Sequence, residues 1–123
     1  MEKLVLEEMK FYAFHGLLPE ERKIGGYYTV SVSISSDLGA SVKSDNIEDT
    51  IDYKKVYDII KKEMKVSSRL IEHVGGRIAD AIIDNYSMVK LLVVKIKKHS
   101  PPVDGDLPAV SFILERDNYE RNS

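Results

Sequence analysis

The order in which the hydrophobic period changes along this chain constrains its fold more than any other feature. Near the start apolar residues alternate, with Leu4 and Leu6 followed by Met9, Phe11 and Ala13. Tyr28, Val30, Val32 and Ile34 alternate again, with Thr29, Ser31 and Ser33 on the opposite face. The period then lengthens to that of a helix. Val56, Ile59, Ile60 and Met64 share one helical face, and Ile71, Val74, Ile78, Ala81 and Ile82 share another. Alternation returns from Leu91 to Lys98 and from Ala109 to Glu115. The order is therefore ββααββ, an α+β fold with a four-stranded antiparallel sheet covered by two helices on one face. A ferredoxin-like chain would read βαββαβ, and a doubly wound sheet would alternate strand and helix throughout, so neither fits.

Details follow from the same pattern. Parity in the first strand slips across Glu7 and Glu8, which predicts a bulge. Between the first two strands, His15 to Gly26 is bracketed by glycines and contains Pro19, so an ordered loop is expected there, the first place to look for function. Ser67 or Ser68 is expected to cap the second helix, which should end around Asp84 and Asn85. The polar tail from Asp117 to Ser123 is expected to be disordered. No repeat, low-complexity run or linker divides the chain, so residues 1–123 read as a single domain.

Composition removes several function classes. A net charge of -2 offers no basic field for a phosphate backbone, and nucleic acid is not an expected partner. The absence of cysteine excludes disulfides, thiolate nucleophiles and zinc sites built on sulfur. The charged start MEKLVLEEMKF lacks the apolar run of a signal peptide, and no stretch approaches the ~20 apolar residues of a membrane span. The expectation is a soluble cytoplasmic protein without membrane partners.

Some residues fit a purely structural reading poorly. Lys98 falls on the apolar parity of Leu92, Val94 and Ile96, so it either leaves the strand end for water or points into a pocket where its acidity can be tuned. Glu72 is followed at helical offsets by Gly75, Gly76 and Ala79, a small-sided face read as separate from the main apolar stripe. Such a face admits a flat ligand, or it packs closely on the sheet or another subunit. His15, Glu21, Tyr53 and His73 are further polar candidates, and their spacing matches neither a metal-binding HExxH nor a nucleophile elbow.

The segments MKFYAFHGLLPEERKIGG, DTIDYKKV, LIEHVGGRIADAI and VKIKKHSPPVDGD occur in an order and at a spacing that together resemble the dihydroneopterin aldolase family. The resemblance implies the tunnelling fold, in which ββααββ subunits join their sheets into a barrel. It also implies a homo-oligomer, a tetrameric ring stacking into an octamer, with active sites between subunits. On LIEHV, Glu72 resembles the pterin anchor, with Ile71 beside it as a substrate contact. On KKHSPP, Lys98 resembles the catalytic lysine. On HGLLPEE, Glu21 resembles the glutamate near the reactive side chain. On TIDY, Tyr53 resembles a tyrosine supplied by the adjacent subunit, and Thr50 and Ile51 match backbone contacts to the ring. The implied chemistry is metal-free and cofactor-free retro-aldol cleavage of a pterin substrate in folate biosynthesis, with side-chain epimerisation as a possible side activity. Gly75 and Gly76 stand where bulkier residues are common in the family, and Ala109 and Ser111 where glycine is frequent. Rival readings are a dihydroneopterin triphosphate epimerase, a non-catalytic pterin-binding assembly module and, last, an RNA-binding sheet.

Overall fold

Four strands form because β-branched and aromatic residues recur at period two between turn-rich segments. The computed structural model describes residues 1–118. Its strands are β1 (Glu2–Ala13), β2 (Gly26–Ser36), β3 (Leu91–His99) and β4 (Ala109–Asp117). They pair antiparallel in the order β1-β2-β3-β4, which leaves β1 and β4 at the edges. Register between β1 and β2 shifts between Leu6 and Met9, where the expected bulge sits. There Glu8 adopts φ +50, and its amide leaves the ladder to donate to Ser31 Oγ at 2.9 Å.

The two long helices are α3 (Tyr53–Met64) and α4 (Ile71–Asn85), preceded by the short helices α1 (Pro19–Ile24) and α2 (Gly39–Ser44) and a 3-10 turn at Ile47–Asp49. Tyr28, Val30, Val32, Ile34, Leu92, Val94 and Ile96 from the sheet join Val56, Ile60, Met64, Val74, Ile78 and Ile82 from α3 and α4 in one buried cluster. The ββααββ expectation therefore holds for the long elements. The short helices escaped the pattern because each has a single turn or little more, too few residues to display a period.

Three expectations need correction. The loop after β1 contains α1, started by Pro19 at the first helical position and by the Glu21 carboxylate accepting the Leu18 amide at 3.1 Å. Helix α4 begins at Ile71, and neither serine caps it. The Ser67 hydroxyl donates to the Phe14 carbonyl, while Ser68 Oγ pairs with His73 Nδ1 at 2.8 Å and accepts from Arg77 at 3.0 Å. The polar tail starts later than Asp117, which ends β4. Asn118 is buried, its backbone amide donating to the Lys90 carbonyl at 2.8 Å and its side chain to the Val89 carbonyl at 2.9 Å. The remainder of the expected tail, 119–123, lies outside the described residues.

The small-sided face of α4 is not separate from the core either, since Gly75 and Ala79 are both buried in it. A Cβ on Gly75 would stand 2.9 Å from the Phe112 ring and 3.6 Å from Ile96, whereas one on Gly76 would meet nothing nearer than Arg116 at 3.9 Å. The two glycines therefore respond in opposite directions. Gly75→Leu overpacks the helix against β3 and β4 and should lower stability by ~1–3 kcal/mol. Gly76→Ala relieves the glycine penalty in open space and should raise stability by up to ~1 kcal/mol. Thermal melts of both variants against the parent check the pair of signs.

Candidate active site

Lys98 reaches the interior end of the sheet because it shares the parity of Leu92, Val94 and Ile96, one residue before β3 ends. In the ladder it stands between Tyr28 of β2 and Val110 of β4. Its ammonium forms an ion pair with Glu21, and the two side chains are only 17% and 15% exposed, which excludes a simple solvated strand end. Burial by itself pushes the Glu21 carboxyl up. The hydrogen bond and charge of Lys98, with the Leu18 and Leu17 amides, outweigh that push and leave its pKa below the ordinary value. The acid is thus held as a carboxylate against the lysine.

Glycine is required to set this pair. Gly16 has φ +153, and a Cβ there would fall 2.1 Å from the Glu21 carboxylate. Chain reversal at Gly16 and the first turn of α1 together deliver Glu21 to Lys98.

An open cleft of about 410 Å³ runs past the pair, with Glu21, Lys98, Ile71, Glu72, Leu18 and Pro102 among its lining residues. That volume is in the range of small-molecule sites. An exposed carboxylate at the start of α4 borders one part, an ammonium–carboxylate pair borders another, and apolar side chains lie between. The arrangement suits a flat ligand with paired N–H donors and a reacting group that must gain and lose protons.

Tyr53, Thr50 and Ile51 are not brought to this cleft within one chain. Tyr53 is exposed and lines a larger apolar cleft of about 730 Å³ between β1 and α3, with Leu4, Leu6, Met9 and Tyr57, and that cleft contains none of Glu21, Lys98 or Glu72. Thr50 lies in a separate depression with Ser41, Asn46 and Ile47. Ile51 is buried in the core and lines none of these three depressions. Within one chain the expected site residues are therefore spread over three separate depressions, with Ile51 in the core.

A family model described as dihydroneopterin aldolase matches residues 4–115. The chain belongs to the dihydroneopterin aldolase family. Membership makes it an enzyme of the lyase class with dihydroneopterin aldolase activity. A dihydroneopterin aldolase of Streptococcus pyogenes serotype M6 is 35% identical over 117 residues, covering 94% of this chain and 98% of that one. Among solved structures, E. coli dihydroneopterin aldolase in complex with neopterin superposes with a TM-score of 0.86 at 18% identity, covering 94% of this chain and 99% of that one. The Burkholderia dihydroneopterin aldolase bound to guanine gives 0.75 at 18% identity, covering 94% and 90%. These likenesses show that the ββααββ fold is shared. No helix among the described residues is long and apolar enough to cross a membrane.

Outside the lining of the Lys98 cleft, His15 stood among the polar candidates of the sequence without an assigned role. In the structure its side chain is 1% exposed. Nδ1 accepts the Ser68 amide at 3.1 Å, and the His15 carbonyl accepts the Tyr28 hydroxyl at 2.8 Å. Desolvation, then the positive charges of Arg77 and Lys98, hold the ring's pKa down at about 4. The Met64 carbonyl pulls the other way, although Nε2 makes no hydrogen bond of good geometry. Burial likewise pushes the Tyr28 phenol up to about 12, so it stays a donor. Nothing in the local sequence signals the His15–Ser68 bond, since its partners are 53 positions apart.

A pH dependence of stability follows. His15 is neutral in the fold and titrates near 6.5 when unfolded, so its contribution is fully present above pH 6.5. As pH falls from about 6.5 to about 4 the unfolded chain takes up the proton first, and stability should drop by about 3 kcal/mol. Glu21, whose folded pKa is depressed, adds a loss in the same direction as its carboxylate protonates at lower pH. Denaturant midpoints at pH 7, 5.5 and 4.5 measure this slope, and His15→Asn should flatten it.

Proposed function

We propose that the Glu21–Lys98–Glu72 cleft cleaves 7,8-dihydroneopterin by a retro-aldol reaction. The observation that carries the reading is the Glu21–Lys98 ion pair, partly withdrawn from water, on the wall of a cleft that also holds Glu72. Glu72 accepts hydrogen bonds from the pterin 2-amino group and ring N3–H, with Ile71 against the ring. The Lys98 ammonium gives a proton through ordered water to ring N5, and the amine so formed takes the proton of the substrate's 2′-hydroxyl. The C1′–C2′ bond breaks as C2′=O forms, and its electrons pass into the ring C6=N5 bond, so N5 keeps that proton. Reprotonation of the resulting enamine at C1′ returns C6=N5. The products are 6-hydroxymethyl-7,8-dihydropterin and glycolaldehyde, and every proton is accounted for. The ring's own C=N bond is the electron sink, and the reading assigns no metal or cofactor to the step.

Tyr53 of a neighbouring copy assists the enamine reprotonation, and the Thr50 and Ile51 backbone of that copy contacts the ring. Support for a shared site comes from the separation of Tyr53 from Lys98 on one chain and from the unpaired edges β1 and β4. Exposed Val5 on β1 and exposed Val110 and Ile113 on β4 make these edges unfavourable in water, and pairing copies edge to edge into a ring relieves that. By its resemblance to the family we read the ring as a tetrameric barrel stacked into an octamer, with residues 1–123 acting as one domain of a cytoplasmic enzyme of tetrahydrofolate biosynthesis.

The test is anaerobic incubation with 7,8-dihydroneopterin, with product pterin and glycolaldehyde followed by chromatography. Equimolar release of both supports the reading. Turnover only of the triphosphate, with inversion at C2′ and no aldehyde, favours the epimerase instead.

A further inference from the structure

His15 touches all three segments that build the cleft. The chain leaves it through Gly16 towards Glu21. Its carbonyl accepts the hydroxyl of Tyr28, the residue across the ladder from Lys98. Its ring accepts the amide of Ser68, in the segment that leads into α4 and Glu72, and the Gly16 amide binds the Ser68 carbonyl at 2.9 Å beside it. The ring of Tyr28 packs edge-on against the imidazole, their centroids 5.2 Å apart. His15 also lines a small cavity of about 130 Å³ with Glu21, Tyr28 and Lys98. Charged groups around it come from several elements: Arg77 from α4, Lys98 from β3 and Glu21 from α1, while Arg22 of α1 binds the Gly16 and Leu17 carbonyls at 2.8 Å.

We propose that His15 is a positioning residue for the aldol chemistry, fixing the Glu72 wall of the cleft relative to the Glu21–Lys98 pair through the bond from the Ser68 amide to Nδ1. This rests on the catalytic reading of Lys98 given above. The physical basis is that reacting groups must be held close to a productive geometry, and a displacement of ~1 Å can cost about a hundredfold in rate. A buried backbone amide left without an acceptor moves or rehydrates, so losing Nδ1 loosens the Ser68–Glu72 segment instead of merely emptying space. A neutral ring keeps the Nδ1 lone pair available throughout the working range. An apolar side chain of similar size fills the volume but supplies no acceptor.

Two substitutions separate these roles. His15→Asn places a carbonyl oxygen near the position of Nδ1, and His15→Leu fills the site without an acceptor. Activity is measured for each at a temperature where near-ultraviolet circular dichroism and gel filtration report a folded, assembled protein, with Lys98→Ala in parallel. The expected result is a fall in kcat/KM of about a hundredfold for His15→Leu, divided between kcat and KM, with His15→Asn restored to within about threefold of the parent. If His15→Leu does not fold, His15→Gln, whose acceptor lies one bond too far out, takes its place with the same expectation. Equal activity of the folded Leu or Gln variant and the parent overturns the proposal, as does an Asn variant no better than Leu. If Lys98→Ala turns over like the parent, the catalytic reading fails and the proposal falls with it. If Lys98→Ala is inactive while all His15 variants are unimpaired, only the positioning role is lost.

Discussion

Replacing Lys98 by alanine should reduce kcat for aldehyde release by about 10²–10⁴-fold while leaving pterin affinity within a few fold. Lys98 carries the one amine in the cleft's ion pair, and its position is set by the sheet, so no neighbouring chain movement replaces it. The same change removes the bond and charge that hold the Glu21 carboxyl down, and burial then raises its pKa. An orphaned, partly buried acid is a poor substitute base in this place. Lys98→Arg should not rescue, because a guanidinium does not deprotonate in the working range. Steady-state kinetics with gel filtration of the variant check the prediction, and a kcat within threefold of the parent would contradict it.

The second large effect belongs to Glu72. Charge-assisted hydrogen bonds contribute on the order of 1.5–3 kcal/mol, so Glu72→Gln should weaken pterin binding by about 10–100-fold. Glutamine keeps one acceptor but presents an amide where the ligand also donates, which places two donors face to face. Because Glu72 is exposed at the start of α4, fold and melting temperature should change little. Titration calorimetry with the product pterin reads the affinity. An unchanged dissociation constant would remove Glu72 from the binding role.

How much of this was legible from sequence divides by the range of the interaction concerned. Periodicity located the long strands and helices, and the slip at Glu7 and Glu8 located the bulge, because each is a local consequence of which face is buried. Lys98 stood out through its parity, although parity left open whether it met water or a partner. Its partner Glu21, 77 positions away, is delivered by Gly16 and α1, a turn whose path no period encodes. Local capping rules failed at Ser67 and Ser68 since tertiary partners claimed both hydroxyls. His15 was singled out as a polar candidate but given no role for the same reason, its meaning residing in the distant amide of Ser68 and hydroxyl of Tyr28. The glycines of α4 show the limit from the other side. Sequence flagged both, and only the path of Phe112 across the helix distinguishes Gly75 from Gly76.

The central claim is a catalytic site built from two copies, with Lys98 on one and Tyr53 on the next, and subunit mixing tests it most directly. Lys98→Ala and Tyr53→Ala proteins, each inactive alone, are dissociated together in denaturant and reassembled at equal concentrations, with each variant refolded separately as a control. If the site is shared, random rings contain intact Lys98–Tyr53 interfaces at about a quarter of positions, and activity should return to about a quarter of the parent value. If both residues act within one chain, every site carries a lesion, and mixed rings would show no more than the mean of the two refolded controls.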